Sequence, residues 1–145
     1  MSRVNISKQH PATYQQLAGL SQAAGEAAIA ADLDPKLLEL VRLRVSQING
    51  CAFCCRLHAR DAVAAGETAD RLAVLAAWWE SQYFSEAERA ALALAEEVTE
   101  LSAPAREAWD TGVLTDAQVS AVTWLAVVMN AWNRVAIRSG YRVAP

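Results

Sequence analysis

All three cysteines, one of the two histidines and a carboxylate fall within the stretch Glu39 to His58, ELVRLRVSQINGCAFCCRLH. Cys51 and Cys54 form a C-x-x-C, His58 follows Cys54 at i+4, and Glu39 precedes Cys51 with eleven residues between. Cys51 comes just after Gly50, where a helix is expected to begin. The N–H groups of a first helical turn are unpaired and partly positive, which stabilises a thiolate and lowers the thiol's pKa. A helical i, i+3 pair holds its Cα atoms roughly 5 to 6 Å apart, within disulfide range. A regular helix still keeps the Cβ atoms too far apart, so closure needs a distortion that is easiest in a frayed first turn. An imidazole at i+4 from Cys54 overlies the same face and can take a thiol proton.

Metal binding uses the same residue types. Cys51, Cys54 and His58 form a close metal-capable set, but zinc wants a fourth protein ligand or an open water position, and these three share one short helix. Cys55 lies at i+4 from Cys51, where it either competes as a second resolving thiol or is a buried, inert one. Glu39 has Arg42 at i+3 as a partner on its own helix. It also has a route to His58. If Gly50 turns the chain back, Glu39 lies about 16 Å down one helix from the turn and His58 about 11 Å down the next. The two can then meet with modest stagger, and Glu39 can orient His58 and favour its charged form.

The elements that must position these groups are helices. Residues 1–10 read as an irregular lead-in, with His10 solvated. Pro11 opens a helix with Tyr14, Leu17, Ala18 and Leu20 on one side; it ends before DLDP. Asp34 caps a second helix with Pro35 in its first turn, and Leu37, Leu38, Val41, Val45 and Ile48 form its apolar stripe. Asn49-Gly50 stops it. A third helix is expected from about Cys51 to Ala65, with Gly66 as its stop. Thr68 caps a fourth with a stripe of Leu72, Leu75, Ala76 and Trp79. The capping box Ser85/Glu88 starts a fifth, from Glu86 to about Leu101. Pro104 opens a short helix through Trp109. A second capping box, Thr115/Gln118, starts a long last helix whose segment Val119 to Met129 is apolar on nearly every face and is expected to be buried on all sides.

No alternating β-branched run marks a strand, and no linker or repeat divides the chain. The expectation is an all-α, single compact domain over residues 1–145 with about six or seven helices. The tryptophans Trp78, Trp79, Trp124 and Trp132 read as core or interface packing rather than a cofactor box. Asn130, Asn133 and Arg134 read as subunit-interface or loop-capping groups without a catalytic role.

Composition narrows the classes further. With 54% hydrophobic residues in 145 the chain can bury a real core, and three cysteines are too few for a disulfide-stapled secreted scaffold. An odd count leaves one thiol unpaired within the chain. A net charge of −3 without a basic stripe argues against nucleic acid. The N-terminus lacks the apolar core of a signal peptide, and the longest apolar run is too short for a bilayer and is broken by Ser120 and Thr123. A cytoplasmic, reducing location with no membrane partner is the expectation. There a C-x-x-C is redox-active or metal-binding rather than structural.

Glu39-x11-Cys51-x-x-Cys54-x3-His58 resembles the signature of the AhpD-like branch of the carboxymuconolactone decarboxylase superfamily. The resemblance extends to SQINGCAFC (Ser46 to Cys54), to Ala65-Gly66-Glu67 and to NAWNR (Asn130 to Arg134). It implies an all-helical fold, commonly a trimer or hexamer, that works as a cofactor-independent thiol peroxidase on alkyl hydroperoxides with no bound metal. It also implies the roles. Cys54 is the peroxidatic thiol, Cys51 resolves it as a disulfide, His58 and Glu39 form a proton relay, and an external dithiol recycles the enzyme. The helix terminus by itself favours Cys51 as the more acidic thiol. The best-known AhpD proteins have a histidine just before the second cysteine; here it is Phe53. The decarboxylase branch lacks the C-x-x-C pair. The alternatives are a non-catalytic redox-sensing or metal-binding helical protein, and a general thiol–disulfide oxidoreductase.

Overall fold

Two prolines and four polar caps set most of the helix starts. In the computed structural model, which describes residues 3–145, Pro11 and Pro35 each occupy the first turn of a helix, where a missing N–H costs nothing. Asp34, Thr68, Ser85 and Thr115 each accept a hydrogen bond from a first-turn backbone N–H. Ser85/Glu88 and Thr115/Gln118 are both complete, reciprocal capping boxes. The elements are α1 (Ile6–Gln9), α2 (Pro11–Ala30), α3 (Pro35–Asn49), α4 (Ala52–Ala64), α5 (Ala69–Val74), a 3₁₀ turn (Leu75–Glu80), α6 (Glu86–Thr99) and α7 (Asp116–Ser139). No strand occurs among the described residues.

The central helix is α3. It packs against α4, α6 and α7, and α7 in turn packs against α2 and α6. Leu37, Leu38, Leu40, Val41, Leu43, Val45 and even Arg44 and Ser46 are buried on it. The five-residue stripe read from the sequence was therefore too narrow: a helix with neighbours on three sides buries more than one face.

Four other expectations are corrected. A short helix, α1, lies inside the supposed irregular lead-in, capped by Asn5, whose side chain accepts from the Lys8 N–H. The fourth helix gives way after Val74 to the 3₁₀ turn. Its three-residue repeat buries Leu75 and Trp78, while Ala76 is exposed and Trp79 half-buried. No helix forms from Pro104 to Trp109. Residues 101–106 are exposed, and a segment that short cannot repay helix nucleation without a buried face. It is held instead by side chains, Arg89 to Glu107 and Trp109 to Glu97. Finally, α7 is not buried all round. Its Trp124 and Val127 are 49% and 42% exposed, although Ala121, Val122, Leu125, Ala126, Val128 and Met129 are buried.

One ion pair lies within the core. Arg44 donates through Nε to Glu96 Oε1 at 2.8 Å, and Trp78 Nε1 donates to the same oxygen at 2.9 Å. Arg44 is 7% exposed, Glu96 5% and Trp78 0%. This set ties α3, α6 and the 3₁₀ turn together. Removing one member of a buried pair leaves the other charge uncompensated. Glu96→Leu is expected to lower unfolding free energy by about 3–5 kcal/mol, read from urea melts followed by circular dichroism. A loss under about 1 kcal/mol, the scale of an exposed pair, would contradict this account.

Candidate active site

The site is built at the turn between α3 and α4. Gly50 has φ 68° and ψ 32°, the left-handed conformation that glycine adopts without a Cβ penalty. Its N–H bonds to the Gln47 carbonyl at 3.2 Å, and the Cys51 N–H bonds to the Ser46 carbonyl at 3.0 Å. These are the two bonds of a Schellman motif, which satisfies the free carbonyls of α3. The next residue, Cys51, is already the N-cap of α4. Its φ of −88° and ψ of 95° are extended, and its Sγ accepts from the Cys54 N–H at 3.2 Å.

Cys51 and Cys54 are joined as a disulfide with a Cα–Cα distance of 5.3 Å. The distortion that closure requires lies at Cys51. It sits just outside the helix, so its side chain is free of helical geometry. Both cysteines are nearly sequestered, at 1% and 3% exposed. Cys55 remains a free thiol, packed against the core. Burial pushes its pKa above the ordinary thiol value, which reduces its thiolate fraction and its reactivity.

Antiparallel packing of α4 on α3 brings Glu39 and His58 together. His58 Nδ1 and Glu39 Oε2 are 2.8 Å apart, while Arg42 donates to Glu39 Oε1 at 2.7 Å. Glu39 therefore contacts both partners at once, one carboxylate oxygen for each. Burial alone would raise the Glu39 pKa. The hydrogen bond from His58 and the charges of Arg42 and His58 outweigh it and hold the carboxyl below its usual value. An ionised carboxylate only accepts, so His58 Nδ1 carries the proton and Nε2 is the nitrogen left for a reacting group. Asp61 approaches Nδ1 to 3.9 Å from a half-exposed position. Glu39, His58 and Asp61 form a metal-capable trio within 4.8 Å. The cysteines are not part of it; their sulfurs are bonded to each other.

Cys54 and His58 both face a cleft of about 1020 Å³ between α2, α3, α4 and α7; Cys51 is not in its lining. The walls are mostly apolar. Phe53 stacks edge-on against Tyr141 at 5.0 Å, and Tyr14 against Trp132 at 5.3 Å. Phe53 thus places an aromatic ring beside the thiol and leaves His58 as the one imidazole lining the cleft.

A polar network supports the turn from behind. Asn49 Nδ2 donates to Asn130 Oδ1 and Asn133 Oδ1, both at 2.9 Å. Asn133 donates to Ser46 Oγ at 3.0 Å, and Ser46 donates to the Arg42 carbonyl. Asn133 is fully buried. Asn130 and Asn133 therefore fasten the end of α3 to α7, an intramolecular role not read from the sequence. The asparagines flanking Gly50 and within NAWNR were the available signal.

Residues 11–97, more than half of the chain, match the model of the carboxymuconolactone decarboxylase family. The chain belongs to that family. The uncharacterized protein YdfG of Bacillus subtilis is 39% identical over 115 residues, covering 73% of this chain and 75% of that relative. The uncharacterized protein YnjA of Escherichia coli is 29% identical over 101 residues, covering 70% of this chain and 56% of that one. A crystal structure from Agrobacterium tumefaciens, of a protein of unknown function whose name ties it to AhpD antioxidant defence, superposes with a TM-score of 0.84. It is 27% identical and covers 100% of this chain and 99% of its own. Family and neighbour together place the chain in the AhpD-like branch of the carboxymuconolactone decarboxylase family. This chain's own all-helical domain carries its C-x-x-C at the start of α4.

The Glu39 environment has a pH signature. Its folded-state pKa lies below the ordinary 4.5. The ionised group's contribution to stability is therefore present above that value and lost as pH falls through the folded one. The stability difference between wild type and Glu39→Gln, measured by thermal melts, should shrink on going from about pH 7 to about pH 3.5. A difference that grows on acidification would contradict the assigned environment.

Proposed function

We propose that this protein is a thiol peroxidase of the alkyl hydroperoxidase type, with Cys54 as the attacking thiol. One arrangement carries the reading. Cys54 and His58 share an apolar cleft, and the Nδ1 of His58 is held by Glu39 so that Nε2 is free to exchange a proton. His58 takes the Cys54 proton. The thiolate attacks the terminal peroxide oxygen, the O–O bond breaks, and the departing alkoxide receives the proton from His58 and leaves as an alcohol. Sulfur supplies the two electrons and becomes a sulfenic acid. Cys51 then attacks that sulfur, forms the Cys51–Cys54 disulfide and releases water. An external dithiol returns both thiols by exchange. No step calls for a bound cofactor or metal.

Access favours Cys54 over Cys51 as the attacker, because Cys54 reaches the cleft. The first turn of α4 serves both sulfurs, since Cys51 caps it and Cys54 lies within it. Cys55, with its raised pKa, has no part in the cycle. A second reading, a general thiol–disulfide oxidoreductase, is favoured by Phe53, which removes the second base that a faster peroxidase would use. The expected setting is cytoplasmic and reducing, and no helix of the described residues is long and apolar enough to cross a membrane. The exposed Trp124 and Val127 on α7 support a homo-oligomer, trimer or hexamer.

Stopped-flow consumption of cumene hydroperoxide by the reduced protein tests the assignment. Cys54→Ser should abolish the fast reaction, Cys51→Ser should leave a single oxidation without turnover, and His58→Ala should slow it by about 10²–10⁴-fold. Wild type and Cys54→Ser reacting alike, at the rate of a free thiol, would end the peroxidase reading. Turnover of a disulfide substrate without peroxide consumption would select the second one.

A further inference from the structure

The cleft holds one cation whose outer end is unused. Arg42 donates from Nη1 to Glu39, but its Nη2 has no hydrogen-bond partner among the described residues. Arg42 lines the cleft, and its side chain is only 20% exposed. Nη2 lies against Gly25, in the middle of the long helix α2, where a Cβ would come within 3.2 Å of it. Glycine inside a helix is destabilising relative to alanine. Here it leaves room for the guanidinium end, and both residues line the cleft. Glu26, the one carboxylate among the lining residues, is exposed and accepts from Gln22; no ion pair joins it to Arg42.

Size adds a second constraint. A cleft of about 1020 Å³ is at the top of the range for drug-sized ligands, about 300–1,000 Å³. Hydrogen peroxide or a short alkyl hydroperoxide would leave most of it empty. Apolar walls with a single guanidinium among the lining residues match a long apolar chain that carries one anionic group.

We infer that Arg42 reads a carboxylate, and that the ligand of this cleft is an amphipathic long-chain acid, reduced as its hydroperoxide. This builds on the peroxidase reading and adds a headgroup site. Because Arg42 also touches Glu39, its loss would perturb the relay for every substrate. The informative quantity is therefore the preference for an acid over its own methyl ester, in which a general effect on the relay cancels.

Two measurements test the inference. In the first, kcat/KM is compared for the hydroperoxides of linoleic acid and methyl linoleate. Wild type should prefer the acid by about tenfold or more, as expected for a charge-assisted hydrogen bond. Arg42→Gln should bring the ratio close to one, Arg42→Lys should restore part of it, and Gly25→Ala should lower it by crowding Nη2. In the second, titration calorimetry measures binding of linoleic acid and methyl linoleate, neither of which reacts. The same preference, lost in Arg42→Gln, is expected there with or without peroxidase turnover. Calorimetric selectivity without peroxide consumption would retire the peroxidase reading and keep the carboxylate site. Equal wild-type affinity for acid and ester would overturn the inference even if cumene hydroperoxide is consumed. So would failure to bind either because a second copy of the chain fills the cleft.

Discussion

The left-handed turn at Gly50 is the constraint on which the site depends. It ends α3 with two backbone bonds, reverses the chain and starts α4 on the next residue. That reversal lays α4 against α3, which is why residues nineteen positions apart, Glu39 and His58, meet at 2.8 Å. It also sets Cys51 outside the helix while Cys54 stays within its first turn, so a pair that a regular helix would keep apart is close enough to bridge. A side chain at position 50 would have to hold a positive φ that L-residues rarely adopt. The thiol pair and the relay would be displaced together.

The surroundings resolve two competing requirements. Thiol chemistry needs a polar relay, and an apolar substrate needs an apolar wall. Glu39 meets the first from a largely buried position because two partners, His58 and Arg42, each take one of its oxygens and hold it ionised. The aromatic pairs Phe53–Tyr141 and Tyr14–Trp132 supply the second on the same cleft. Behind the turn, Asn49, Asn130, Asn133 and Ser46 satisfy one another, so the end of α3 is anchored by hydrogen bonds rather than by side-chain volume. Fully satisfied buried networks of this kind fix one arrangement of the helices they join.

Local chemistry was legible in the sequence, and what depends on neighbours was not. Asp34-Pro35, Asn49-Gly50 and the two capping boxes marked helix ends to within a residue or two, because capping is decided within four residues. The cysteine pair, His58 and Glu39 were visible for the same reason, through spacing along one helix and a count of helical rise. Periodicity misled where it assumed a regular helix, at Leu75 to Glu80, and where it assumed that apolar means buried, at Trp124 and Val127. Pro104 marked a start with no partner face to fold against. The partnership of Asn49 with Asn130 and Asn133 spans more than eighty residues, and the asparagines themselves were its one sign in the sequence. Arg42 was read only as a neighbour of Glu39, since nothing nearby in sequence reveals the space that Gly25 leaves for it.

The proposed cycle depends on Cys54 being the sulfur that meets the peroxide. The direct test is to treat reduced Cys51→Ser protein with one equivalent of cumene hydroperoxide, trap sulfenic acid with dimedone and locate the adduct by mass spectrometry of proteolytic peptides. The account predicts the adduct on Cys54 and none on Cys55. An adduct on Cys55, or none on Cys54 after the peroxide has been consumed, would contradict it.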